Sequence, residues 1–70
     1  MNDSRFAREV LNARVLGYRH AMIGYTSTQD METELKLRDI ATDCQWEKLV
    51  EQYLQGNADG RATAWRSHTG

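Results

Sequence analysis

The residue types most able to do chemistry here are one cysteine, two histidines and a run of acids: Cys44, His20, His68, and Asp30, Glu32 and Glu34. A thiol becomes a nucleophile or a metal ligand as the thiolate, which needs a nearby positive charge or a helix N-terminus. Cys44 shares a helical face with Ile40 and Ala41, so a buried, inert thiol is expected, with the capping region around Thr42 as its one source of activation. The two histidines are far apart, and neither stands at ligand spacing from Cys44; no metal site and no cofactor are predicted. His20 falls on the polar side of its helix and is expected in solvent.

The acids stand two residues apart, and such neighbours on a helix point to different sides. They suit the start of a helix, where the dipole favours negative charge, better than an acid/base pair. The sequence holds no glycine-rich phosphate loop, nucleophile elbow or HExxH motif. A helical hairpin of this size also rarely encloses a pocket. The expectation is therefore no catalytic residue and no enzymatic activity.

Binding chemistry is better represented. Trp65 and Arg66 are of the two types most enriched among binding hot spots, and Trp65 reads either as a clip folding back on the helices or as an anchor for a partner. Trp46, beside Leu49, Val50 and Tyr53, reads as core or subunit interface. Arg5, Arg8 and Arg19 lie around one side of the first helix, and Arg61, Trp65, Arg66 and His68 follow in the tail. Cations with an aromatic among them can hold phosphate and stack on a base, which makes nucleic acid the alternative partner. Two features weigh against it. The formal net charge is −1, and the candidate recognition element, Gln29–Ala41, is acidic where phosphates would repel it. Another protein is the expected partner.

These side chains must be positioned by helices. The chain has no proline, five glycines and abundant Ala, Leu, Glu, Arg and Gln, a composition that favours helix over sheet. Asp3 or Ser4 can cap a first helix that runs from Arg5 to Tyr25. At about 100° per residue this helix carries two apolar stripes. Leu11, Val15, Tyr18, Met22 and Tyr25 make a bulky one; Phe6, Val10, Ala13, Gly17, Ala21 and Gly24 make a small one. Small residues at spacings of four, four and three allow a partner helix to approach the backbone closely. Which stripe meets the chain's own second arm, and which a second subunit, is left open by the pattern. Arg14 projects between the stripes, either with its stem on apolar surface or in a salt bridge.

A turn at Thr26-Ser27-Thr28 offers two overlapping caps, Thr26-x-x-Gln29 and Ser27-x-x-Asp30. In the second arm, Glu32–Lys36 and Glu34–Arg38 are spaced for i, i+4 pairs. The apolar phase then changes. Leu37, Ile40, Ala41 and Cys44 share one face, and Trp46, Leu49 and Tyr53 nearly the opposite one. A bend or break near Thr42 is expected, supported by the capping box Thr42-x-x-Gln45 and a hydrophobic staple of Ala41 with Trp46. Gly56-Asn57 reads as a helix end, which leaves residues 57–70 as a mobile tail beyond a helical domain of residues 1–56. Ile40–Tyr53, with its small-residue end, Asp43, Trp46 and Leu49, is loosely similar to hairpins of small helical export chaperones, a similarity generic to helical hairpins.

The predicted fold is thus all-α: an antiparallel helical hairpin, its second arm broken near Thr42, with two to three helices. At 70 residues the core is small, one cysteine cannot form an internal disulfide, and a homodimer is expected to add stability. Charge supports side-by-side arms: residues 1–26 hold four arginines against two acids, +2, and residues 27–60 hold three cations against eight acids, −5. No signal pattern and no membrane-length apolar run is present, so a cytoplasmic protein is expected. The function expected is that of a small helical regulator, adaptor or inhibitor. The candidate interface residues are Arg14, Gly17, Tyr18, Ala21, Met22, Tyr25, Trp46, Trp65 and Arg66.

Overall fold

Asn2 starts the first helix. Its side chain accepts the Arg5 N–H at 2.8 Å, so the cap lies one residue before the expected Asp3 or Ser4. The structure, a computed structural model, describes the backbone of residues 1–69 and the side chains of residues 1–66; the side chain of His68 lies outside the described residues. Three helices follow in order: α1 (Asp3–Met22), α2 (Thr28–Leu35) and α3 (Asp43–Thr69). All three elements are helical, and α1 packs against α3 as the two long arms of the fold.

The break in the second arm is where the sequence put it, and the device is the one expected. The Gln45 N–H donates to Thr42 Oγ1 at 3.1 Å while the Thr42 N–H donates to Gln45 Oε1 at 3.0 Å, a reciprocal capping box. Ala41 and Trp46 both pack against the core beside it. On the other side, α2 stops early. Lys36 takes a left-handed conformation, φ 52°, and its N–H donates back to the Glu32 carbonyl. Because the helix has ended there, neither expected i, i+4 pair forms: Glu34 turns to His20 and Arg38 to Asp43.

The antiparallel course belongs to the return through α2. Beyond Thr42 the chain reverses again, so α3 climbs alongside α1. Met1 sits by Gln45, Gly17 by Tyr53 and Asn57, Ala21 by Gly60, and Thr26 by Arg61. The core lies between these helices and the return: Ala13, Met31, Leu37, Leu49 and Tyr53, with Phe6, Val10, Leu16, Leu35 and Val50 packed on it.

The small stripe of α1 is the side that meets α3. Ala13, Gly17 and Ala21 are buried there, and α3 answers with glycines of its own. A Cβ on Gly17 would overlap the Tyr53 carbonyl oxygen; one on Gly56 would overlap the Arg14 carbonyl oxygen; one on Gly60 would come within 2.6 Å of the Ala21 Cβ. This corrects the helix end expected at Gly56-Asn57. Gly56 is not a terminator but a contact point, and α3 runs through it and through Gly60 to Thr69. Glycine inside a helix costs about 1 kcal/mol against alanine, a loss that close packing of two backbones offsets.

Candidate functional site

Two groups of side chains stand out, one buried and one exposed. The buried group forms where α1 ends. Helix α1 stops at Met22, three residues short of the expectation, because Gly24 at φ 72° turns the chain away. Tyr25 is thereby carried off the bulky stripe. Its ring meets His20 edge-on at 5.1 Å and its hydroxyl donates to Asp30.

His20, expected in solvent, is only 7% exposed. Its Nδ1 lies 2.5 Å from the Tyr53 hydroxyl and its Nε2 3.5 Å from Glu34 Oε1. The Tyr53 hydroxyl and Nδ1 share a hydrogen bond, and the Glu34 carboxylate, which when ionised only accepts, faces Nε2. That hydroxyl in turn accepts the Ser27 N–H at 3.0 Å. One turn further along α3, the Asn57 amide donates to the carbonyls of Gly17 at 3.0 Å and Tyr25 at 2.9 Å, and its oxygen accepts from Thr26 at 2.7 Å. Arg61 also donates to the Thr26 hydroxyl. With Thr26 committed to α3, Ser27 is the residue that caps α2, accepting the Asp30 N–H at 3.1 Å.

The constellation Glu34–His20–Tyr53 has the composition of a proton relay, but its geometry is that of a staple. Tyr53 is fully buried, and every buried polar side-chain atom among the described residues has a hydrogen-bond partner. An open groove of about 740 Å3 runs along the outer face of α2, lined by Gln29, Asp30, Glu32, Thr33, Lys36, Arg38 and Asp39, and none of the three relay residues borders it. What the network does is fix the α1–α2 turn onto α3. Among the described residues no three His, Cys, Asp or Glu side chains gather where a metal could bind. Cys44 is exposed in the first turn of α3, not buried as expected, because the break places it outside the core.

The exposed group is the bulky stripe of α1. Once the small stripe takes α3, Leu11 is 64% exposed, Val15 53%, Met22 43% and Tyr18 37%. Their spacing of four, three and four is that of a coiled-coil seam, and none of the described residues covers it. Arg14 resolves as an ion pair with Asp59 at 3.1 Å, half exposed, on the α3 border of the seam.

The sequence-predicted interface residues therefore separate. Gly17 and Ala21 are inside the α1–α3 contact, and Tyr25 is part of the turn network. Tyr18, Met22 and Arg14 lie on the open face of α1. Trp46 is half-buried under the Arg38 guanidinium, 5.7 Å from its ring. Trp65 and Arg66 are exposed on the last turns of α3, helical rather than irregular. Tyr53, Asn57 and the pairing of His20 were missed. Their signal was present: His20 stands three residues from Gly17, about 60° away on the wheel, and so flanks the small stripe once that stripe is taken as core.

No family model, curated protein sequence or solved structure matches this chain. Among the described residues no helix is long and apolar enough to cross a membrane.

Proposed function

We propose that this chain is a small helical regulator, adaptor or inhibitor that acts in the cytoplasm by binding another protein, with no chemistry of its own. The observation that carries the reading is the uncovered seam of Leu11, Val15, Tyr18 and Met22 along α1. Contiguous apolar surface of that kind on so small a domain marks a contact surface more often than not. The exposed thiol of Cys44 suits a reducing compartment.

The test is affinity capture from a lysate of the source cells, with and without nuclease and at high salt. A stoichiometric protein that survives both supports the reading; recovery of nucleic acid alone, or of proteins that vanish with nuclease, defeats it. One observation favours a nucleic-acid reading as the second choice. Arg5, Arg8 and Arg19 are exposed on α1, and none has an ion-pair partner among the described residues. Binding through them would weaken steeply with salt.

A further inference from the structure

The partner's chemistry is written in the borders of the seam. Leu11 to Met22 is eleven helical steps, about 16 Å at 1.5 Å per step, the length of three helical turns. Four side chains, each a third to two-thirds exposed, offer a few hundred Å2, whereas a stable dimer interface takes roughly 800 Å2 from each partner. The seam is therefore short for a second copy of this domain and matched to one helix laid along it.

Charge narrows the occupant. On the side away from α3, Arg8 and Arg19 project within about 40° of Val15 on the wheel, and both are exposed without an ion pair among the described residues. On the α3 side Arg14 is already held by Asp59. The open border thus presents cations without ion pairs among the described residues, whereas the charge of Arg14 is met. A second copy would bring the same arginines to this border.

Resting on the protein-binding reading above, we infer that α1 docks an amphipathic helix of a partner protein through Leu11, Val15, Tyr18 and Met22, and that this helix carries acidic residues on the flank facing Arg8 and Arg19. Its apolar residues recur every three and four positions, and its acids meet the arginine side chains at a solvated rim. Such rim charges set orientation and partner choice more than affinity.

The test uses the full chain and three synthetic helical peptides of three heptads. All have the same length: leucine at the seam with glutamate flanks, leucine with lysine flanks, and serine at the seam with glutamate flanks. Fluorescence anisotropy should show the acidic leucine peptide binding about tenfold or more tighter than the lysine one, and the serine peptide not binding. Arg8→Glu with Arg19→Glu should invert the preference. Val15→Asp, and separately Leu11→Gln, should abolish binding with unchanged helical circular dichroism. Equal affinity for the two leucine peptides overturns the inference, as does no binding by either. A sedimenting dimer that Val15→Asp dissociates, or a duplex oligonucleotide that competes for α1, also overturns it. If Val15→Asp still captures a nuclease-resistant protein from lysate, the seam assignment falls while the protein-binding reading stands. If the unaltered chain captures none, the reading beneath it falls.

Discussion

Gly56→Ala discriminates sharply between a helix that merely contains a glycine and a helix that needs one. In a solvated helix this change stabilises by about 1 kcal/mol, through lower unfolded-chain entropy and better propensity. Here the added Cβ would overlap the Arg14 carbonyl oxygen and lie 2.8 Å from its carbon and 3.0 Å from its Cα, all backbone atoms that cannot rotate aside. Ordinary contact begins at 3.4 Å, so α1 and α3 must part by more than about 1 Å at this point to clear the carbonyl oxygen. A gap of 0.5–1 Å forfeits a quarter to a half of each dispersion contact, and it would be felt by Ala13, Gly17 and Tyr53 alike. Overpacking of this kind costs typically about 1–3 kcal/mol. Overlap with backbone atoms that cannot rotate aside puts the cost in the upper part of that range, about 2–3 kcal/mol, which less the propensity gain of about 1 kcal/mol leaves a net destabilisation of about 1–2 kcal/mol. In a domain of this size each kcal/mol moves Tm by about 4–8 °C, so thermal unfolding followed by circular dichroism should show a fall of roughly 5–15 °C. Gly24→Ala is the control: nothing lies within 4 Å of its Cβ, and its φ of 72° makes any loss one of backbone strain alone. A Gly56→Ala protein that melts higher than the parent would refute the close α1–α3 contact.

Other outcomes follow from the same geometry. Tyr53→Phe removes the hydroxyl shared by His20 and Ser27 and should lower stability by about 1–3 kcal/mol in urea unfolding, with little change in m-value. Asn57→Ala removes the amide that joins two carbonyls and the Thr26 hydroxyl. It should cost about 2 kcal/mol or more, and speed hydrogen exchange in the turn before α2 ahead of exchange in the centre of α3. Thr42→Ala opens the capping box at α3 and should cost about 1 kcal/mol, read as a Tm shift of a few degrees. Arg14→Ala should change Tm little, because its pair with Asp59 is half exposed and such pairs are worth about 0–1 kcal/mol.

The sequence alone determined the helical class, the break and its capping box, the turn chemistry at Ser27 and the presence of two apolar stripes on α1. Each is a local matter. Propensity, cap spacing and 3.6-residue periodicity act over a few residues and need no knowledge of the rest of the chain. Only the tertiary structure decided which stripe is core. Bulk argues for Leu11, Val15, Tyr18 and Met22, yet the small stripe was buried, because Gly17 on α1 and Gly56 and Gly60 on α3 let two backbones touch. A glycine means a helix end when read along the chain and a contact when read across it, and that difference hid the length of α3. It hid the site as well. His20 and Tyr53 are 33 positions apart, and Asn57 and Gly17 are 40 apart. Hydrogen bonds between such distant positions exist only after α3 has been laid along α1. The open seam has the same origin: whether an apolar stripe is core or surface depends on which stripe the other helix is laid along, and α3 lies along the small one.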